Sequence, residues 1–87
     1  MSEAFDTAHR HSIRNRAEIA ASHLCGCFFC LATINAGEIA EWVDEDDGGE
    51  TAICPRCGVD SVLGDASGFP LDTGFLSQMQ RRWFGTG

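Results

Sequence analysis

The sequence contains no lysine, so its positive charge is carried by arginine, with six arginines set against 13 acidic residues. The formal net charge of −7 disfavours nucleic-acid binding through bulk charge, because an acidic surface repels phosphate backbones. A run of about 18 apolar residues is also absent, which excludes a membrane-spanning helix and a membrane partner. These absences favour a soluble domain that binds something other than a polyanion or a bilayer.

Common catalytic and targeting motifs are missing as well. The chain has neither a Gly-rich phosphate loop nor a Gly-x-Ser-x-Gly motif, which favours a non-enzymatic protein. The opening residues 1–6 lack the basic segment and apolar stretch of a secretory signal. We therefore expect a cytoplasmic protein whose cysteines stay reduced. Reduced cysteine pairs favour metal binding over disulfides.

The length of 87 residues predicts one domain over residues 1–87. A domain of this size buries only about 60% of its chain surface, so it needs a staple beyond its core. Five cysteines supply a candidate.

The pattern of residues predicts an α+β fold in which two helices flank a short antiparallel sheet. An N-terminal helix is predicted over 1–24, because glycine and proline are absent from residues 2–24 and an apolar stripe recurs at helical spacing. Short strands and turns follow over 25–64, and a C-terminal helix over 70–84 begins around Asp72. The stripe consists of Ile13, Ala17, Ala20 and Leu24. The expected core contains Phe28, Phe29, Trp42, Ile53, Val62, Phe75, Leu76 and Trp83.

Two Cys-x-x-Cys pairs, Cys27/Cys30 and Cys54/Cys57, are separated by 23 residues. Two such knuckles can complete a tetrahedron around one ion, with Zn–S distances of about 2.3 Å. Four thiolates leave no coordination position for water or substrate, so we expect one structural Zn²⁺. Iron is the alternative metal. Either Cys25, in place of Cys27, or His23 could join the shell instead.

The knuckles, Cys27-Phe28-Phe29-Cys30 and Cys54-Pro55-Arg56-Cys57-Gly58, resemble those of zinc-ribbon and treble-clef proteins. A predicted strand after Cys57 favours the ribbon. The wider layout adds His11-x3-Asn15-Arg16 before the knuckles, and Phe75-Leu76 and Trp83-Phe84 after them. This layout resembles small bacterial zinc-binding cytoplasmic proteins of uncharacterised activity, so that resemblance implies an architecture and no reaction. The second knuckle is also similar to that of rubredoxins, which hold one iron on four cysteines. The first knuckle departs from the rubredoxin pattern because no glycine follows Cys30.

A basic segment precedes the first knuckle, whereas seven acids crowd residues 38–50. We predict a non-enzymatic interaction module that binds a protein. The alternatives are nucleic-acid binding through the basic segment, or an HNH-like nuclease that uses His11 and Asn15, which are neighbours at i and i+4. Trp83 and Phe84 leave a homo-oligomer open. The candidate binding residues are His9, Arg10, His11, Arg14, Asn15 and Arg16.

Overall fold

Three α-helices and five short strands make up the fold in the computed structural model, which describes residues 3–46 and 48–85. The helices are α1 (Glu3–Arg10), α2 (Arg16–Ala20) and α3 (Thr73–Phe84). The strands are β1 (Leu24–Cys27), β2 (Thr33–Asn35), β3 (Trp42–Asp44), β4 (Glu50–Ala52) and β5 (Val62–Gly64). The predicted α+β class is confirmed. Of the seven acids within residues 38–50, Asp47 lies outside the described residues.

Strand β1 is the centre of the larger sheet, whose order is β2-β1-β5 with both pairings antiparallel. Its residue Cys25 pairs with Ile34 on one side and with Gly64 on the other. Strands β3 and β4 form a separate antiparallel hairpin. The first knuckle therefore forms the turn between β1 and β2, and the second knuckle lies between β4 and β5.

The prediction of one helix over 1–24 is wrong, because the segment breaks into α1 and α2 and then enters β1. Arg14 has a φ of 52°, a left-handed conformation that an α-helix cannot continue through. The Ser12 hydroxyl donates to the His9 carbonyl at 2.6 Å, which satisfies the end of α1 locally. The predicted stripe consequently faces solvent, with Ile13 40% and Leu24 45% exposed. Ala8 and Ile19 are the buried apolar residues of this segment.

The buried side chain of Asn15 joins the two sheets. Its Oδ1 accepts a hydrogen bond from the Ala52 backbone N–H on β4 at 3.0 Å. Its Nδ2 donates to the Val62 carbonyl on β5 at 2.9 Å and to the His11 carbonyl at 3.0 Å. One amide thus satisfies three backbone groups from three segments, which is why the chain leaves the helical path before this residue.

Two buried clusters form the core. One surrounds the larger sheet and contains Ile19, Ile34 and Val62, together with buried cysteines. The other, centred on Phe28, packs the first knuckle against helices α1 and α3 through Ala8, Leu76 and Met79. The core positions of Phe28, Val62 and Leu76 are confirmed. Trp42 and Phe75 are partly buried against these clusters, and Ile53 is half-buried.

The C-terminal helix begins where the sequence indicates. Asp72 is the N-cap of α3, and its carboxylate accepts a hydrogen bond from the Phe75 backbone N–H at 2.8 Å. The core prediction is nevertheless wrong for Phe29 and Trp83, which are 40% and 37% exposed. Nowhere in residues 3–46 and 48–85 is a helix long and apolar enough to cross a bilayer.

The Asn15 side chain should be a large contributor to stability. We expect Asn15→Ala to lower the free energy of unfolding by about 2–4 kcal/mol, because it leaves the Ala52 N–H and the Val62 carbonyl without their partner in the core. Urea unfolding of the metal-loaded protein measures this. Gln78→Ala removes an exposed amide from α3 and should change the free energy by less than about 0.5 kcal/mol. Equal effects of the two substitutions would contradict the bridging role.

Candidate metal centre

The first knuckle is a compact turn closed by three hydrogen bonds around Cys27. The Cys27 N–H donates to the Ala32 carbonyl at 3.0 Å, and the Leu31 N–H donates to the Cys27 carbonyl at 2.9 Å. The Phe29 N–H points back at the Cys27 sulfur at 3.4 Å. These bonds position the sulfur at the end of β1 and turn the chain towards β2.

The second knuckle repeats the same bonds around Cys54. Its N–H donates to the Val59 carbonyl at 3.0 Å, and the Gly58 N–H donates to its carbonyl at 2.9 Å. The Arg56 N–H approaches the Cys54 sulfur at 3.4 Å. The two knuckles therefore have equivalent hydrogen bonding, although their intervening residues differ.

The residue after the second cysteine is left-handed in both knuckles. Gly58 has a φ of 77°, and Leu31 occupies the same place with a φ of 65°. The sequence indicates this turn only at Gly58, because leucine rarely adopts a positive φ. Partial burial of the Leu31 side chain against the Phe28 cluster holds it in this conformation.

The four cysteine sulfurs of the two knuckles converge at one point. All lie within 4.8 Å of one another. The Cys27 and Cys57 sulfurs are 3.6 Å apart, and those of Cys30 and Cys54 are 3.8 Å apart. A tetrahedron with metal–sulfur bonds of about 2.3 Å has edges of about 3.8 Å, whereas a disulfide bond is about 2.05 Å long. The spacing thus fits four ligands of one ion, and none of the four cysteines forms a disulfide.

The inner and outer sulfurs differ in exposure. Cys27 and Cys54, the first cysteine of each knuckle, are buried, whereas Cys57 is half-buried and Cys30 is exposed. The buried Ser61 hydroxyl lies 3.1 Å from the Cys27 sulfur and is the donor when Cys27 is a thiolate. Ser61 lies immediately before β5, and the sequence analysis does not predict its contact with Cys27. The only indication in the sequence is a small hydroxyl residue next to the apolar pair Val62-Leu63.

The local environment lowers the pKa of Cys27 and raises the pKa values of Cys30 and Cys57. Burial raises the pKa of Cys27, but hydrogen bonds from the backbone N–H of Cys30, from Ser61 and from the backbone N–H of Phe29 outweigh it, so the net pKa is lowered. Burial raises the pKa values of Cys30 and Cys57, and their closeness to Cys27 raises them further. A cation between the sulfurs would offset this repulsion between neighbouring thiolates, because it stabilises all four thiolates together.

Neither alternative ligand belongs to the cluster. Cys25 is fully buried, and burial, reinforced by the charge of Asp65, raises its pKa to about 11. A thiol with that pKa stays protonated at neutral pH. His23 is exposed, and its backbone N–H donates to Asp65 at 3.0 Å. Among the described residues, the cluster that could hold a metal ion contains Cys27 and includes neither Cys25 nor His23.

His9, His11 and Asn15 each make specific internal contacts. The His9 ring stacks on Trp83 with their centroids 3.9 Å apart. The His11 Nδ1 lies 2.9 Å from a carboxylate oxygen of Glu18. Asn15 is buried between the two sheets. The structure therefore does not bring His11 and Asn15 together around an open site.

The arginines of the same segment differ in the contacts that they make. Arg16 pairs with Glu50 at 2.6 Å, and its guanidinium lies 4.7 Å from the centroid of the Trp42 ring. The Arg14 backbone N–H donates to the Thr51 hydroxyl at 2.9 Å. Arg10 is exposed at the end of α1.

No protein-family model, curated protein or solved structure matches the chain. The resemblance to zinc ribbons and to bacterial zinc-binding proteins therefore stays a prediction. The clustering of the four sulfurs rests on this chain's own geometry and supports a small metal-binding module.

The left-handed turn of the second knuckle gives a direct test of its geometry. We expect Gly58→Ala to destabilise the metal-loaded protein by about 1–2 kcal/mol through backbone strain alone, because a Cβ there would meet no atom within 4 Å. Gly37→Ala is the matched control, since its Cβ would also meet open space and its φ is not positive. Thermal unfolding should separate the two. An equal response would show that the turn tolerates an L-residue.

The Ser61 hydroxyl should tune the metal affinity. We expect Ser61→Ala to weaken metal binding about 10- to 100-fold, because the Cys27 thiolate loses a buried hydrogen-bond donor. Competition with a chromogenic chelator measures the affinity. Ser67→Ala, which removes a hydroxyl that donates to the Gly64 carbonyl at 2.7 Å, should leave the affinity unchanged. Unchanged affinity in Ser61→Ala would refute the assigned role.

Proposed function

We propose that this protein is a structural zinc module that recognises a protein partner and carries out no reaction. One Zn²⁺ would be held by Cys27, Cys30, Cys54 and Cys57. The observation that carries the proposal is the convergence of their four sulfurs at tetrahedral spacing, with 3.6 Å and 3.8 Å between the measured pairs.

The donor set argues for zinc in a structural role. Four thiolates form the closed shell of structural zinc sites, whereas catalytic zinc keeps a position open for water. Zinc is redox-inactive, and it suits a tetrahedral sulfur site in a cytoplasm that keeps thiols reduced. Iron is the alternative metal for the same four thiolates, and native mass spectrometry distinguishes it from zinc.

The site joins two segments that are distant in the chain, namely the β1–β2 turn and the connection between β4 and β5. Cys27 and Cys30 belong to the β1–β2 turn, whereas Cys54 and Cys57 belong to the connection between β4 and β5. Bound zinc supplies a cross-link that contributes roughly 10–16 kcal/mol of apparent folding free energy in small zinc domains. These four residues therefore hold surfaces built on both segments in one arrangement.

A protein partner is favoured over a nucleic acid. Net charge disfavours a polyanion. The basic segment is no continuous cationic face either, because His11 and Arg16 are paired with acids and Asn15 is buried. The nuclease alternative loses support for the same reason, since the Asn15 amide already bonds three backbone groups.

Metal removal and cysteine substitution test the proposal. We expect native mass spectrometry to find one zinc per chain, and we expect a strong chelator to abolish the cooperative unfolding transition. Cys54→Ser should lose zinc and fold poorly, because it leaves three thiolates and disrupts the buried side of the shell.

Cys25→Ala is the matched control, because it removes a buried cysteine sulfur outside the cluster. We expect it to keep one zinc per chain while losing about 1 kcal/mol of stability to the small cavity. Unchanged melting of the chelated wild-type chain would overturn the structural role. Iron in place of zinc would overturn the metal assignment, and zinc loss in Cys25→Ala would overturn the ligand set.

A further inference from the structure

An exposed aromatic surface lies where helices α1 and α3 end beside the first knuckle. It comprises Phe29, Trp83 and Phe84, which are 40%, 37% and 38% exposed. Arg10 ends α1 next to His9, the residue on which Trp83 stacks. Arg81 lies in the last turn of α3, three residues before Phe84 and thus next to it on the helix surface. We call these five residues the aromatic–arginine patch.

The patch is held in place by the metal knuckle. The Phe29 carbonyl accepts a hydrogen bond from Gln80 Nε2 on α3 at 2.6 Å. The Phe29 ring meets the Phe84 ring edge-on, with centroids 4.8 Å apart. Phe29 lies between Cys27 and Cys30, so the geometry of the knuckle sets where its ring stands.

The three exposed rings are not part of the buried core. Of the two phenylalanines in the first knuckle, Phe28 is fully buried and packs in the core, whereas Phe29 is exposed. Three large rings in one place resemble the anchors of a binding surface, which aromatic residues and arginine dominate. Single exposed apolar residues such as Val43 need no such account.

The last turns of α1 and α3 are basic, whereas the chain as a whole is acidic. Arg82 lies 2.8 Å from Asp6, with its guanidinium 5.4 Å from the Trp83 centroid. Arg10 and Arg81 are exposed, and neither makes an ion pair with any side chain in the described part of the structure. Two arginines that form no ion pair within the described part of the structure thus lie in the last turns of the helices that carry or contact Trp83 and Phe84.

We propose that the aromatic–arginine patch binds an acidic peptide segment of a partner protein, with an aromatic or aliphatic side chain of that segment packed against the rings. The inference rests on the proposed function, since the zinc knuckle positions Phe29. Carboxylates of the segment pair with Arg10 and Arg81, which offer the bidentate geometry that guanidinium groups provide.

Two other occupants fit less well. A second copy placed symmetrically would bring its Arg10 and Arg81 towards the same arginines, because a two-fold interface juxtaposes the same patch of each copy. A nucleic acid would extend past two arginines into a surface that is acidic overall, with a net charge of −7. A short acidic segment meets the arginines without extending far into that surface.

The test uses the full zinc-loaded chain and a displayed library of random peptides about a dozen residues long. We expect the selected peptides to be rich in Asp and Glu around one aromatic or aliphatic residue. Fluorescence anisotropy with a synthetic selected peptide should then show weaker binding as salt rises from low to physiological concentration, because the arginine–carboxylate pairs are screened.

Two substitutions and their matched controls locate the site. Arg81→Gln and Phe84→Ala should each weaken peptide binding at least tenfold. Thr73→Glu changes the net charge by the same single unit as Arg81→Gln, but at the far end of α3, about 12 Å along the axis. Val43→Ala removes an exposed apolar side chain from β3. Both controls should bind the peptide as the wild type does.

The outcomes separate this inference from the proposed function. Selection of basic or neutral peptides, failure to select any, or equal binding by Arg81→Gln and wild type would overturn the patch while one zinc per chain leaves the metal module intact. Patch-dependent binding of single-stranded DNA, or dimerisation lost in Phe84→Ala, would replace the peptide with that occupant. Arg81→Gln alters only an exposed side chain, so it keeps the test decisive if Phe84→Ala folds poorly.

Discussion

The convergence of four cysteine sulfurs is the constraint on which the rest of this small domain depends. Two turns that are distant in the chain adopt the same hydrogen bonding and present their sulfurs at the spacing of one tetrahedral shell. The strands that lead into these turns have three or four residues each. Elements this short have little stability alone. A shared ion would make them one unit.

A second, purely polar link runs parallel to the sulfur cluster. The Asn15 amide joins β4 to β5 close to where the second knuckle leaves and re-enters the sheets. Its position explains why the basic segment is broken into two helices: the backbone must turn to insert this amide into the core. The polar residues of this segment therefore contribute first to architecture, which changes how its histidines and arginines are interpreted.

The sequence predicts the elements with the strongest local signals. Cysteine spacing identifies the four sulfurs that converge, and Asp72 identifies the start of α3, because both signals act over two or three residues. The prediction of a single N-terminal helix is wrong. Its apolar stripe is not buried, since Ile13 and Leu24 are exposed, so the stripe did not indicate a helix face packed on the core. What breaks the helix is a tertiary demand, namely the bonds of Asn15 to distant strands. The left-handed backbone of Leu31 could not be predicted for a similar reason, since packing and not local preference holds it in that conformation.

The unequal burial of the sulfurs makes the cluster directional. Cys27 and Cys54 are buried, whereas Cys30 is exposed and Cys57 is half-buried. Any chelator, oxidant or metal donor that approaches the cluster therefore meets the outer pair first and the inner pair last. Phe29 stands directly beside Cys30 in the chain, so a molecule seated on that ring would also shield the entrance. A partner bound at the proposed patch would thus also limit access to the proposed ion, because one backbone turn carries both Phe29 and Cys30.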